Sequence, residues 1–107
     1  MKLSEYQIAH IDKEININLI KRIVMIDVGG DPTVSLVDKV SNIYCISDKY
    51  DIIWQVSEKK TKPPFDNDLF FYLRKNDKGE ILADRFSGFE YKIDPDTGEV
   101  EQIGFHK

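Results

Sequence analysis

The sequence contains few residues of the types that carry out catalysis. His10 and His106 lie near the two ends of the chain, and Cys45 lies near its middle. If the terminal strands paired, these side chains would form a cysteine and histidine arrangement for nucleophilic attack, or part of a metal site. Their spacing does not require either arrangement. The residue types favour a buried structural cysteine and two surface histidines.

An acidic segment near the carboxyl end, DPDTGE at 94–99, has carboxylates at alternate positions followed by a glycine. A calcium loop begins in a similar way, but it also needs a distal glutamate and flanking helices, whereas β-prone runs flank this segment. A hairpin turn explains the same residues. Pro95 presets φ, Asp94 and Thr97 bond back to the backbone, and Gly98 supplies a left-handed position. The sequence therefore predicts no metal and no cofactor.

A third set of residues combines acids and bases on neighbouring predicted strands. Alternate residues of adjacent strands share a face, which would allow an acid and base pair, but such charges more often form ordinary cross-strand pairs. The sequence has no glycine-rich phosphate loop, no nucleophile elbow and no two-histidine metal helix. The sequence therefore favours a binding protein over an enzyme, but it does not exclude enzyme activity. The set consists of Asp84, Arg85, Glu90, Tyr91 and Lys92.

Composition limits the partners and the compartment. The 107 residues are enough for one β-rich domain, residues 1–107, with a single core. A net charge of −4 and a pI near 5.1 disfavour nucleic acid and anionic membranes as partners. One cysteine excludes an intrachain disulfide, and the amino-terminal residues lack a signal-peptide pattern, so we expect a cytoplasmic protein.

Polar turns between β-prone runs organise most of the chain. NDKG and PDTG divide residues 69–107 into two hairpins, and DKYD divides residues 42–57 in the same way. The apolar runs at Ile23–Ile26 and 69–74 predict central strands buried on both faces. Trp54 is expected to anchor the core. The prediction is a mainly β fold: an antiparallel meander of six to eight strands forming a half-barrel or small sandwich.

Two segments fit either a helix or a strand. Alternation within Ser4–Asp12 favours a strand, but Ser4 and Gln7 have the spacing of a capping box, so one short amino-terminal helix is the alternative. In Thr33–Val40, several valines and a threonine favour a strand over a short amphipathic helix. The alternation fails near residues 101 and 102, which predicts a β-bulge there.

The longest predicted loop and the polar turns hold the candidate binding residues. Residues 59–68 contain three lysines, two consecutive prolines and Phe65. Consecutive prolines favour a stiff, extended loop suited to binding, with a solvated connector as the alternative. We expect Tyr50 and Phe65 to act as apolar anchors within an acidic surface. The acidic candidates are Asp31, Asp48, Asp51, Asp66 and Asp68.

The strings IIWQV and FSGFEYKIDPDTGEV resemble strands of a quinoprotein-type propeller blade, and similar strings occur in small uncharacterised bacterial proteins. This resemblance covers residues 42–100 and transfers no functional residue. In size and charge the chain is similar to bacterial immunity proteins, which neutralise a cognate secreted toxin. That similarity implies a non-enzymatic protein-binding domain that occludes the basic active site of a toxin domain.

Two further possibilities follow from the predicted sheet. A curled sheet encloses space for a cavity, so a small-ligand-binding β module, or an enzyme using that cavity, is the alternative function. Open sheet edges need to be covered or paired, which makes a homodimer an alternative to a monomer.

Overall fold

The computed structural model describes residues 1–28, 30–57 and 68–105, and these residues form two antiparallel sheets with two short helices. The elements in chain order are α1 (Glu5–Ala9), β1 (Ile11–Asn18), β2 (Lys21–Ile26), α2 (Leu36–Val40), β3 (Ile43–Ser47), β4 (Ile52–Gln55), β5 (Phe70–Lys75), β6 (Ile81–Arg85), β7 (Phe89–Ile93) and β8 (Val100–Phe105). Strands β1 to β4 form the first sheet and β5 to β8 the second, each paired in sequence order. The predicted mainly β meander is confirmed.

The main core lies between the two sheets. Ile23, Met25 and Cys45 of the first sheet belong to one buried cluster with Leu73 and Tyr91 of the second. Side chains alternate between the two faces of a strand, so β2, β3, β6 and β7 each contribute alternate residues to this layer. The fold is therefore the small sandwich and not the half-barrel.

The opposite face of the first sheet is also buried. Val24, Ile26 and Tyr44 point away from the second sheet and belong to a second apolar cluster with Leu3 and Val28. The amino-terminal segment and the connection between β2 and β3 supply the residues that cover this face. Strand β2 thus has buried side chains on both faces, as its continuous apolar run predicts.

Side-chain caps decide both ambiguous segments in favour of helices. The Ser4 hydroxyl accepts a hydrogen bond from the Gln7 backbone at 3.1 Å, and the Gln7 side chain accepts one from the Ser4 backbone at 2.9 Å. The strand prediction for Ser4–Asp12 is therefore wrong over α1, where the helix alternative is right, while Ile11 and Asp12 already belong to β1. Ser35 caps α2, so the strand prediction for Thr33–Val40 is also wrong. Neither described helix is long enough to cross a membrane.

Strand β5 departs from the regular alternation that the sequence indicates. Phe70 and Tyr72 pair with consecutive residues of β6, so Phe71 is an extra residue in a β-bulge. Phe70 and Leu73 consequently both reach the core, while Phe71 and Tyr72 are about half exposed. Because β5 is the outermost described strand of its sheet, the prediction that it is central is wrong. A second bulge, at Ile103 in β8, lies beside the predicted position.

The turn between β7 and β8 connects the two sheets. The Asp94 side chain accepts a hydrogen bond from the backbone two residues later at 2.8 Å, and Gly98 has φ 78°, which confirms the hairpin turn. Trp54 is 8% exposed, and its indole N–H donates to the Pro95 carbonyl at 2.9 Å. Trp54 is thus the predicted core anchor, and it also holds this turn against the first sheet.

A buried asparagine joins the sheets at another point. Asn42 is 2% exposed, and its amide donates to the carbonyls of Ile26 at 3.0 Å and Phe70 at 2.9 Å. Its side-chain oxygen accepts a hydrogen bond from the Phe70 backbone at 3.1 Å. The Asn42 side chain therefore pairs with both backbone groups of Phe70, as a neighbouring strand would, and fixes where β5 begins.

Candidate protein-binding surface

The predicted binding loop lies mostly outside the described residues, and this includes Phe65 and Asp66. Asp68 is described and is only 3% exposed. Its carboxylate accepts hydrogen bonds from the backbone of Ser87 at 2.8 Å and from the Ser87 hydroxyl at 2.7 Å. The prediction that Asp68 contributes to an exposed acidic surface is therefore wrong, because its charge is used to hold the turn after β6.

The turn between β3 and β4 brings three of the predicted residues together. Asp48 and Asp51 are exposed, and Asp51 lies 3.8 Å from the Lys2 ammonium group. Tyr50 adopts φ 66°, and the Arg22 guanidinium lies 4.9 Å from the centre of its ring. The ring is partly buried against the outer cluster of the first sheet, so part of its apolar surface already packs within the protein.

Asp31 lies in a different segment, after β2. Its carboxylate accepts hydrogen bonds from the Thr33 backbone at 2.8 Å and hydroxyl at 2.6 Å, and from the Tyr6 hydroxyl. Hydrogen bonds from Thr33 and Tyr6 lower the pKa of Asp31 to about 2. The same contact raises the pKa of Tyr6. Asp31 thus connects α1 to the segment before α2.

The candidate nucleophile and the described histidine are not brought together. Cys45 is fully buried in the core between the sheets, and burial raises the pKa of its thiol. His10 is exposed, with its ring 2.7 Å from the Tyr6 carbonyl. His106 lies outside the described residues. Across the described parts of the chain, no three metal-ligating side chains form a cluster.

The charged residues of the second sheet are divided between its two faces. On the outer face, Arg74 lies 2.8 Å from Asp84 and also pairs with Glu90. On the inner face, Arg85 is 2% exposed, donates to backbone carbonyls and lies 4.0 Å from the centre of the Phe70 ring. These contacts are cross-strand ion pairs and a buried structural cation, which are arrangements that stabilise a sheet.

An exposed aromatic patch, formed by Phe71, Tyr72 and Phe86, lies at the β5 side of the second sheet. The three side chains are 51%, 48% and 77% exposed. The Phe71 ring centre lies 6.1 Å from that of Phe86 and 6.4 Å from that of Tyr72. The β5 bulge adds the Phe71 ring to the exposed face beside Tyr72, and a backbone hydrogen bond from Phe86 to Leu69 at 2.9 Å places the third ring.

A cavity of about 310 Å³ opens beside the aromatic patch. Phe71 and Phe86 line it together with Asp12 of β1 and Asp27, which follows β2. Within the described residues, the carboxylates of Asp12 and Asp27 accept no hydrogen bond and form no ion pair. Uncompensated negative charge therefore lies next to exposed aromatic rings. A lysine or arginine side chain is complementary to both features.

The sequence prediction did not include this surface, because it assigned residues 69–74 to the two faces of the strand by strict alternation. The signal is the run of aromatic residues at 70–72, since three consecutive rings cannot share one face of a regular strand. Asp12 and Asp27 line the same cavity because β1 pairs with β2 at Ile11 and Ile26, with Asp12 as the extra residue of a bulge. The sequence shows no signal for that bulge.

Comparison with known proteins identifies a family. No curated protein and no solved structure matches the chain. The family described as "Domain of unknown function (DUF7957)" matches residues 9–105. The matched range includes β1 to β8 and every residue of the aromatic patch and its cavity. The chain therefore belongs to the DUF7957 family of domains of unknown function.

Proposed function

We propose that this chain is a non-enzymatic protein-binding domain, most concretely an immunity protein that neutralises a cognate bacterial toxin by occluding its basic active site. The observation that supports the proposal most is the aromatic patch beside the uncompensated carboxylates of Asp12 and Asp27. A cytoplasmic location is part of the proposal, because the protein would protect the cell that makes it.

The aromatic patch has the character of a protein-binding hot spot. Phe86 exposes 77% of its surface, and the neighbouring rings of Phe71 and Tyr72 are about half exposed. Contiguous exposed apolar surface is unfavourable in water, and on monomeric proteins it commonly marks an interaction site. Aromatic side chains are enriched in the cores of protein interfaces, where they fill pockets on the partner.

The charges around the patch favour a basic partner. The chain carries a net charge of −4, and the carboxylates of Asp12 and Asp27 line the cavity next to Phe71 and Phe86. Negative potential at this surface would steer a positively charged partner towards it and speed association. Toxin domains that act on phosphate-containing substrates have basic active sites, which such a surface can cover.

Affinity capture followed by reconstitution tests the proposal. The purified chain is used to capture partners from its native host, and the captured protein is then purified and its binding measured directly. Phe71→Ala should weaken this binding at least about tenfold, because truncation of an interface hot spot has an effect of that size. Phe105→Ala is the matched control, since Phe105 is also 51% exposed but lies in β8, at the other edge of the second sheet.

Salt dependence tests the charge argument separately. Binding is compared at about 0.05 M and about 0.5 M sodium chloride, between which screening of surface charge increases strongly. The double variant Asp12→Asn/Asp27→Asn should reduce both the affinity and its salt dependence. A partner that is not basic, or equal effects of Phe71→Ala and Phe105→Ala, would contradict the proposed surface. If the partner binds as expected but its toxic activity persists in the complex, the immunity function is wrong.

A further inference from the structure

A second cavity lies on the outer side of the first sheet, away from the inter-sheet core. It has a volume of about 470 Å³ and is lined by residues of α1, the end of β2, the segment leading into α2, and Tyr44 of β3. We propose that this cavity binds a small organic cation, an amine with an apolar or aromatic part, through Asp38 and Tyr44. This inference is independent of the protein-binding surface.

The cavity has the size and lining of a small-molecule site. Its volume lies within the range of about 300 to 1,000 Å³ that is usual for such sites. Ile26, Val28 and Val34 supply apolar surface to the lining, and the other seven lining residues, Asp38 and Tyr44 among them, supply polar groups. Polar groups that converge on a cavity with an apolar wall fix the orientation of a ligand.

The polar groups in the cavity are held by long hydrogen bonds. The Tyr44 hydroxyl donates to Asp38 at 3.5 Å and accepts from the side chains of Gln7 at 3.4 Å and Gln55 at 3.1 Å. Gln55 also donates to Asp38 at 3.5 Å. Three of these four hydrogen bonds, including both that reach Asp38, are longer than the normal range, which ends near 3.2 Å, and are therefore weak. A ligand that forms a shorter, charge-assisted hydrogen bond with Asp38 would therefore lose little free energy by displacing these weak bonds.

The electrostatics of the cavity determine the charge of the ligand. Within the described residues, the partners of the Asp38 carboxylate are the uncharged side chains of Tyr44 and Gln55. Burial, together with the charge of Asp38, raises the pKa of Tyr44 to about 12, so its hydroxyl remains neutral at physiological pH. Asp38 is thus the charged group of this site, and a cation is its complement.

The aromatic residues of the lining favour an organic cation over a metal ion. Tyr6 and Tyr44 both contribute to the cavity, and aromatic faces attract alkylammonium groups. A divalent metal ion needs several oxygen ligands in close geometry, and the lining supplies one carboxylate. The apolar residues of the lining would then contact the hydrocarbon part of the ligand.

A pair of probes with opposite charge tests the inference. 2-Phenylethylamine and 3-phenylpropionate have similar size and an aromatic ring in common, but the first is a cation and the second an anion at neutral pH. Each is titrated into the isotope-labelled full chain and followed by two-dimensional amide NMR. The cation should shift the amide signals of residues 38 and 44 in a saturable manner, and the anion should not. Saturable binding of both probes, or of neither, would overturn the proposal.

Variants identify the group that recognises the charge. Asp38→Asn should weaken 2-phenylethylamine binding at least about tenfold, because the charge-assisted hydrogen bond is lost. Asp77→Asn is the matched control, since Asp77 is exposed in the turn between β5 and β6 and lines neither of the two cavities, and it should leave the affinity unchanged. Equal weakening by the two variants would overturn the proposal. Tyr44→Phe, which keeps the ring and removes the hydroxyl, serves as a second test if Asp38→Asn does not fold.

Discussion

At the scale of single residues, two glycines with the same backbone conformation have different surroundings. Gly98 and Gly79 have φ 78° and 80°, values that favour glycine. A Cβ atom on Gly98 would lie 2.5 Å from the Trp54 ring, whereas on Gly79 the nearest atom would be the end of the Lys75 side chain at 4.0 Å. Only Gly98 is therefore required by packing as well as by its backbone conformation.

Substitution of each glycine by alanine separates the cost of the backbone conformation from the cost of packing. Gly79→Ala should lower the free energy of unfolding by about 1 kcal/mol, the usual cost of a left-handed conformation for a residue with a Cβ atom. Gly98→Ala should lower it by a further 1 to 3 kcal/mol or so, because overpacking displaces the Trp54 ring. Urea unfolding measures both values. Equal losses in the two variants would show that the contact with Trp54 has no energetic role.

Asp31 predicts a dependence of stability on pH. Its pKa is about 2 in the folded chain and has an ordinary value of 3.8, so the folded state favours the ionised carboxylate. The stabilisation is complete above about pH 4 and is lost as the pH falls through about 2. Asp31→Asn should reduce the acid sensitivity of the urea midpoint in this interval. Asp48→Asn is the control for the removal of one negative charge, and an equal effect there would contradict the role of Asp31.

At the scale of elements, the bulge in β5 separates the core residues of that strand from the aromatic patch. The extra residue, Phe71, lies between Phe70 and Tyr72, which pair with consecutive residues of β6. Without it, the sequence of β5 would alternate regularly, with Phe70 inward, Tyr72 outward and Leu73 inward. The bulge therefore adds an exposed ring to the surface and leaves the inward register unchanged.

Deletion of Phe71 should accordingly be tolerated. The remaining residues of β5 would pair with β6 as a regular ladder, so the core residues Phe70 and Leu73 keep their positions. Deletion of Lys92 is the contrasting variant, because Lys92 is exposed but lies in the regular strand β7. That deletion would force Tyr91 or Ile93 out of the core, at a cost of about 2 kcal/mol or more. Thermal unfolding compares the two, and similar losses would disprove the role assigned to the bulge.

At the scale of the whole molecule, the two sheets depend on each other. They share one apolar core, and Asn42 and the Trp54 indole form hydrogen bonds from the first sheet region to the second. Neither sheet would bury its inner face alone. The stability of one sheet is therefore inseparable from that of the other.

This dependence predicts a single cooperative unfolding transition. Trp54 fluorescence reports the junction between the sheets, while far-ultraviolet circular dichroism reports the strands of both. The two signals should give the same urea midpoint and slope, as two-state unfolding requires. Separate transitions would show that the sheets unfold independently.

The sequence predicts those parts of the molecule that depend on local chemistry. Polar turns ending in glycine locate the hairpins, and the apolar run at Ile23–Ile26 locates a strand buried on both faces. The sequence prediction fails where a tertiary contact or a single capping residue outweighs the propensities of the neighbouring residues. Ser35 starts α2 despite several valines, and the β5 bulge exposes Phe71. The second cavity could not be predicted, because α1, which is distant in sequence from Tyr44, helps to enclose it.

Because Cys45 is buried, chemical labelling of its thiol can report the stability of the protein. Cys45 is the only cysteine in the sequence and is 0% exposed, so a thiol reagent can reach it only when the sheets separate. The rate of labelling under native conditions should then measure the free energy of this opening. A ligand or partner that binds the folded chain should slow the labelling in proportion to its occupancy. The labelling rate of Cys45 in the unmodified chain can therefore be used to detect its binding partners.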